Sequence, residues 1–292
     1  MKRDAFSGFH PAVNFLFFMA AIGFGVVIQH PAYMAAAVVC AGIYYLLLTG
    51  SKGLKLLYAV IPMFLLITLI NPLFNTYGKT VLFYVFGRPY SWEAICYGMV
   101  LGGMFVVMML WFGCYNVVLT SDKFVCLFGS LIPSLSLLLV MVLRLIPAFM
   151  RKTRQIIGAR NSIGKGGNQG STLKEKVASG MTVLSALTDW ALEGSIVTAD
   201  SMRSRGYGAA KRTSFQLYRM TWRDWLLLGL ELVLALIVIF VIATGGTEAS
   251  YTTRISVVPV TPGYIAYWAF LLIPTVLEGK EQLQWHIIRS KI

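Results

Sequence analysis

The sequence predicts an all-α protein that crosses the membrane several times and carries a large polar insert between its fourth and fifth spans. Its 292 residues are 57% hydrophobic, with a mean hydropathy of +0.71, whereas soluble domains are about 45–50% apolar. Several uncharged stretches are long enough to cross the hydrocarbon core, which takes about 20 residues in a helix. The net charge is +13, and much of it lies in the insert.

About six apolar stretches are predicted to span the membrane as helices: 12–29, 31–48, 56–72, 94–119, 224–243 and 263–278. Lys and Arg precede the first span, separate the second from the third, fill the insert and follow the last span. Because cytoplasmic loops are enriched in Lys and Arg, the N-terminus, the insert and the C-terminal tail are predicted to be cytoplasmic. The opposite loop at 73–92 has β-branched and aromatic residues between glycines, which predicts a short hairpin.

The insert at 121–223 is predicted to be a structured cytoplasmic domain. It separates an N-terminal transmembrane bundle at 1–120 from C-terminal transmembrane segments and a tail at 224–292. Residues 120–223 hold 15 Lys and Arg against 5 Asp and Glu, and a connection of this length without its own structure is uncommon. A basic patch beside membrane helices favours anionic lipid or an acidic protein as partner, and nucleic acid is not expected.

Two long amphipathic helices are predicted in this domain. The first passes through LRLIPAFMRKTRQIIGARN, which begins apolar and becomes basic. The second begins at a capping box formed by Thr172 and Glu175. It is predicted to reach Ser204, with an interruption near Gly194 and a stop at Gly206.

An arginine lies at the end of each predicted helix, Arg160 in the first and Arg205 in the second. Glycine follows each within a few residues and favours a helix end there. Snorkelling to lipid headgroups requires neither the glycine nor the long helix, whereas a guanidinium on a rigid tip is suited to bidentate bonds in an acidic groove. Other basic residues of the insert are assigned to anionic lipid: Arg151, Lys152, Arg154, Lys211 and Arg212.

Motifs of common enzymes are missing from the sequence. It has no P-loop, no glycine-rich phosphate cradle and no HExxH pattern, and its three histidines are scattered. We therefore expect no catalytic residue, no metal site and no cofactor. Ionisable residues inside the membrane normally mark a transport pathway. Away from the ends of the predicted spans only Glu231 qualifies, together with Arg144 in the apolar start of the first insert helix. Two alternatives remain open, a membrane scaffold whose basic domain binds lipid or an acidic protein, and a self-contained channel or permease.

Five segments share a pattern with one family of membrane proteins. They are NPLFNTYGKTVLF at 71–83, TSDKFVCLFGSLIP at 120–133, LRLIPAFMRKTRQIIGARN with Arg144 and Pro147, the tripeptide Ala159-Arg160-Asn161, and the tripeptide Ser204-Arg205-Gly206. In this order, together with a basic cytoplasmic insert, they resemble the transmembrane coupling (T) subunits of energy-coupling factor transporters, the EcfT/CbiQ family.

This resemblance implies a non-catalytic subunit of an ABC-type importer for vitamins or transition metals in a prokaryotic cell membrane. Such a subunit assembles with two cytoplasmic ATPases and with a small membrane substrate-binding protein, the S component. The two arginine tripeptides are implied to dock in ATPase grooves, one in each. Arg144 and Pro147 are implied to support the first coupling helix. Met181, Leu184 and Trp190 on the second helix are expected to contact the S component.

Overall fold

The computed structural model describes residues 4–75, 78, 80–85, 88–129, 133–164, 172–209, 218–251 and 255–290. Over these residues the chain forms nine α-helices and two short antiparallel hairpins. The helices are α1 (Pro11–Val27), α2 (Pro31–Thr49), α3 (Leu54–Phe74), α4 (Trp92–Val118), α5 (Ser121–Gly129), α6 (Pro133–Ser162), α7 (Leu173–Ser204), α8 (Trp222–Ala243) and α9 (Gly263–Ser290). The hairpins pair β1 (Val81–Val85) with β2 (Arg88–Ser91) and β3 (Ala249–Ser250) with β4 (Ser256–Val257).

Four of the helices in the described part of the chain, α2, α3, α4 and α8, are long and apolar enough to cross a membrane. The other two predicted spans fall on α1, which has 17 residues, and on the first part of α9. The mostly helical, membrane-compatible architecture is therefore confirmed. The count of six spans stays a prediction, as does the cytoplasmic side of each loop.

Two compact units divide the chain. The first comprises Met1–Phe124 together with Tyr218–Ile292, and the second comprises Val125–Leu217. The first unit holds α1–α4, α8 and α9, and the second holds α6 and α7.

Five helices of the first unit pack in a ring around an aromatic core. Helix α1 packs against α4, α4 against α2, α2 against α9, α9 against α8, and α8 against α1, while α3 packs on α4. Phe17 stacks on Phe270 with 5.0 Å between ring centroids and meets Trp111 edge-on at 5.5 Å. All three side chains are almost fully buried, and such aromatic pairs add about 0.5–1.5 kcal/mol each to the gain from burial.

The N-terminal segment also packs into this core, which the sequence patterns did not predict. Phe6 lies in a short 3-10 helix, Phe6–Gly8, and its side chain is fully buried. Its ring meets Phe17 edge-on with 5.3 Å between centroids. Burial of a phenylalanine side chain stabilises a fold by about 1.5–3 kcal/mol, so the segment is part of the folded unit.

Glycines on α4 allow α3 to approach closely. A Cβ atom at Gly98 would lie 2.8 Å from the backbone oxygen of Thr68, and one at Gly102 would lie 2.9 Å from the Phe64 ring. We expect Gly98→Ala to push the helices apart and to lower the free energy of unfolding by about 1–3 kcal/mol. Gly42→Ala on α2 is the matched control, since its Cβ would meet nothing within 4 Å. Thermal unfolding in detergent measures both, and equal melting temperatures would contradict the close α3–α4 contact.

The predicted hairpin within 73–92 is confirmed. Strands β1 and β2 pair antiparallel, and the rings of Phe83 and Tyr90 stack with 4.7 Å between centroids. The β3–β4 hairpin between α8 and α9 was not predicted, because its two-residue strands are too short to give an alternating pattern.

The start of α7 agrees with the prediction from the sequence, but the middle of the helix does not. The Thr172 hydroxyl accepts a hydrogen bond from the Glu175 N–H at 3.4 Å, and the Glu175 carboxylate accepts one from the Thr172 N–H at 2.9 Å. The capping box is therefore confirmed. The predicted interruption near Gly194 is wrong, since α7 runs unbroken through this residue. A single glycine weakens a helix by about 1 kcal/mol relative to alanine without ending it.

Candidate functional site

Helices α6 and α7 lie antiparallel and bring the predicted site residues onto one helical hairpin. Near the end of α6, Arg160 Nη2 donates a hydrogen bond to Ser179 Oγ at 3.1 Å. Further towards the start of α6, Phe149 packs edge-on against Trp190 with 5.5 Å between centroids, and the Lys152 ammonium lies 5.7 Å from the centre of the same ring. Residues later in α6 therefore contact residues earlier in α7, so the two helices run in opposite directions.

The two arginine motifs therefore lie towards opposite ends of α7. Arg160 is level with Ser179 near the start of α7, whereas Arg205 is the C-cap of that helix. At 1.5 Å per residue, the length of α7 between Ser179 and Arg205 is ~39 Å. The helix sets this separation, so two partners could occupy the two motifs at the same time.

A Schellman turn ends α7 at the second motif. The N–H of Gly206 donates to the Arg203 carbonyl at 3.0 Å, and the N–H of Tyr207 donates to the Met202 carbonyl at 3.0 Å. Gly206 has a φ of 79°, a conformation that glycine adopts without the steric cost of a Cβ atom. This turn explains why glycine follows Arg205, whose side chain is exposed.

The first motif ends α6 in a similar way. Gly164 has a φ of 72°, and its N–H donates to the Asn161 carbonyl at 3.1 Å. The N–H of Ile163 donates to the Ala159 carbonyl at 3.3 Å. Ala159 and Asn161 are exposed, whereas Arg160 is half-buried because its guanidinium lies against α7. The two arginines thus share a glycine-terminated helix end but differ in exposure.

The remaining predicted residues lie along the same hairpin. Arg144 and Pro147 are exposed on α6, and Met181 and Leu184 are 61% and 55% exposed on α7. Ser204, the first residue of the second motif, donates its hydroxyl to a backbone carbonyl one turn earlier at 2.9 Å. Whether any of these residues contacts a partner stays a prediction.

Helix α7 presents a large apolar surface. None of its 32 residues, all of which the structure describes, is buried. Several large apolar side chains along it are more than half exposed: Leu173, Val177, Met181, Leu184, Leu192, Ile196 and Val197. Most follow one another at intervals of three or four residues, so they share one face of the helix. Contiguous exposed apolar surface is typical of contact with another protein or with lipid.

A buried cluster of charged side chains in the first unit was not predicted. Asp4, Lys123 and Glu278 are 8%, 4% and 5% exposed. They come from the N-terminal segment, α5 and α9, and no local sequence pattern connects them. Among the described residues, no group of three or more His, Cys, Asp or Glu side chains is arranged to hold a metal ion.

Comparison with protein-family models gives no match to this chain, and comparison with curated proteins gives none either. The resemblance to coupling subunits therefore rests on the five sequence segments alone.

Proposed function

We propose that the chain is the transmembrane coupling subunit of an ABC-type energy-coupling factor importer in a prokaryotic cell membrane. In this role it transmits ATP-driven motion of two cytoplasmic ATPases to a small membrane S component that binds a vitamin or a transition metal. The observation that carries the proposal is the α6–α7 hairpin with an arginine motif towards each end. Two ATPases provide two grooves, and the hairpin provides two arginine motifs whose separation is set by α7.

Docking at both arginine motifs attaches the ATPases to the hairpin at two separate points. A guanidinium forms paired, charge-assisted bonds with carboxylates and so resists displacement in several directions. When ATP closes the two ATPases together, their grooves move, and Arg160 and Arg205 move with them. Because α6 and α7 contact each other through Phe149 and Trp190, the displacement passes to the hairpin as a whole.

The apolar face of α7 supplies the second contact that this role requires. The S component is a membrane protein, and a face that includes Met181 and Leu184 offers it a hydrophobic docking surface. Methionine adapts to surfaces of different shape because its side chain is unbranched and flexible. In this proposal α7 therefore connects the ATPases to the substrate-binding partner.

A membrane scaffold with a basic lipid- or protein-binding domain is the second candidate. It is favoured by Arg151 and Arg154, which are exposed on α6 outside the arginine motif. The two candidates differ in their partners. Purification of the tagged chain from the organism that encodes it should yield two ATPase subunits and a small membrane protein if the chain is a coupling subunit. Recovery with anionic lipid or an unrelated acidic protein would favour the scaffold.

The proposal also predicts how the chain behaves alone. In liposomes without partners, it should neither hydrolyse ATP nor move a solute, because the nucleotide sites and the substrate site belong to other subunits. Phosphate release and solute uptake measure this directly. The matched sample is the same preparation with the co-purified ATPases and S component added back. ATP hydrolysis by the isolated chain, at a rate that survives further purification, would contradict a coupling role.

A further inference from the structure

The β1–β2 hairpin exposes large apolar side chains. Leu82, Phe83 and Tyr84 are consecutive residues of β1, and they are 54%, 52% and 71% exposed. Successive side chains of a strand point to opposite faces, so the hairpin has exposed apolar surface on both faces. Arg88 is the only charged residue in the two strands. Such a surface is typical of contact with lipid or with another protein.

Hydrogen bonds hold the hairpin against the ends of two helices. The Tyr90 hydroxyl of β2 donates to the Leu69 carbonyl near the end of α3 at 3.0 Å. The hydroxyl of Thr80, the residue before β1, donates to the carboxylate of Glu93 in the first turn of α4 at 2.6 Å. Because each strand is fixed to a helix end in this way, the hairpin lies beside the ends of α3 and α4.

These helix ends are apolar and exposed as well. Helices α3 and α4 are both long and apolar enough to cross a membrane. The side chain of Phe74, the last residue of α3, is exposed, and so are those of Leu69 and of Trp92, the first residue of α4. The exposed apolar surface of α3 thus reaches the hairpin where Tyr90 binds the Leu69 carbonyl. Lipid that surrounds α3 would therefore also meet the hairpin.

The backbone of the hairpin limits how deep it can lie in the bilayer. Among the described residues this sheet has two strands only, so each strand has an outer edge whose backbone groups pair with no further strand. The hydrocarbon core provides no hydrogen-bond partner for such groups. The headgroup layer does provide polar partners, and it is enriched in tyrosine and tryptophan. The headgroup layer therefore suits both the apolar side chains and the outer strand edges.

We propose that the β1–β2 hairpin is an interfacial membrane anchor that places Leu82, Phe83 and Tyr84 in the lipid headgroup layer. The anchor fixes the depth at which α3 ends and α4 begins, because the hairpin is bonded to both helices. Its binding partner is the bilayer surface itself. The inference rests on α3 and α4 crossing the membrane and does not depend on the proposed transport role.

Spin-label accessibility in liposomes tests this placement. Single cysteines replace Leu82 or Tyr84 in a background without the four native cysteines, and the nitroxide-labelled full-length chain is reconstituted alone in phosphatidylcholine and phosphatidylglycerol. Collision with oxygen, which concentrates in the bilayer, is compared with collision with a water-soluble nickel complex present on both sides. Two reference sites define the scale: Leu66, exposed midway along α3, and Glu248, an exposed carboxylate before β3.

We expect the ratio of oxygen to nickel accessibility at Leu82 and Tyr84 to lie between those of the two reference sites. The label at Leu66 should have the highest ratio and the label at Glu248 the lowest. Neither Leu82 nor Tyr84 is buried, so cysteine at these positions removes no core contact. If one labelled chain does not fold, the other gives the answer alone.

Three results would overturn the proposal. A ratio at the hairpin equal to that of Glu248 would place the hairpin in water, and one equal to that of Leu66 would place it in the hydrocarbon core. Low accessibility to both reagents would show that protein, and not lipid, covers the hairpin.

Discussion

Replacing both Arg160 and Arg205 with glutamate is expected to abolish binding of the partner ATPases while leaving membrane insertion intact. Each arginine is proposed to occupy an acidic groove, and truncation of a buried, hydrogen-bonded charge costs on the order of 2–5 kcal/mol. That range corresponds to an affinity loss of about 30-fold to several thousand-fold for each site. The two motifs are separated along α7, so the losses should add. Quantitative pull-down of the ATPases with the tagged chain measures the effect.

Three control variants separate docking from other causes. Arg154→Glu and Arg203→Glu make the same charge reversal on exposed residues of α6 and α7 outside the tripeptides, and they should retain most of the binding. Ser179→Ala removes the bond from Arg160 to α7 but keeps the arginine, and it should bind close to wild type. Losses in Arg154→Glu and Arg203→Glu as large as those from charge reversal within the motifs would indicate general electrostatic attraction. Wild-type recovery of ATPases with the Arg160→Glu/Arg205→Glu chain would end the docking hypothesis.

Leu184→Pro is expected to uncouple ATP hydrolysis from transport. Proline in a helix interior removes a backbone hydrogen bond and introduces a clash, at a cost of about 3 kcal/mol or more. The resulting kink lies between Ser179 and Arg205, so it changes the direction in which Arg205 points. Leu184→Ala is the control, because it truncates the same side chain but keeps the helix. Transport and ATP hydrolysis should be assayed together in reconstituted complexes, and tight coupling in the proline variant would contradict a rigid α7.

Lengthening the glycine-rich segment at 164–171 should have little effect by comparison. Only Gly164 of this segment lies within the described residues. Each doubling of a flexible loop adds only about 0.6 kcal/mol of closure entropy, so insertion of a few Gly and Ser residues should leave transport almost unchanged. If the insertion uncouples the complex as strongly as Leu184→Pro, then the segment itself makes an essential contact, and motion is not transmitted by the helices alone.

Local signals in the sequence were sufficient to predict how α7 begins and ends. Thr172 and Glu175 form the expected capping box, and Gly206 adopts the expected left-handed turn. Both signals act within a few residues, because capping side chains satisfy the nearest free backbone groups. Gly194 was misjudged for a related reason. A glycine weakens a helix locally, but neighbouring hydrogen bonds carry α7 through it.

Contacts between distant residues could not be predicted in the same way. No periodic pattern connects the N-terminal segment with α9, yet Asp4 and Glu278 are both buried, and the N–H of Ala5, next to Asp4, donates to the Glu278 carboxylate at 3.0 Å. The antiparallel pairing of α6 with α7 depends on contacts such as Phe149 with Trp190, which neither helix specifies alone. The separation of the two arginine motifs follows from that pairing. The residues of the two arginine motifs could therefore be identified from the sequence, but the distance between the motifs could not.

The most direct test of coupling is a distance measured between the two units while ATP is bound and hydrolysed. Spin labels at Ala199 on α7 and at Asn116 on α4 occupy exposed positions in the second and first unit, respectively. A background lacking the four native cysteines allows specific labelling of the assembled complex. The coupling role predicts that ATP shifts the distance distribution in the intact complex and leaves it unchanged in the Arg160→Glu/Arg205→Glu variant. A complex that hydrolyses ATP and imports substrate with no change in this distance would contradict it.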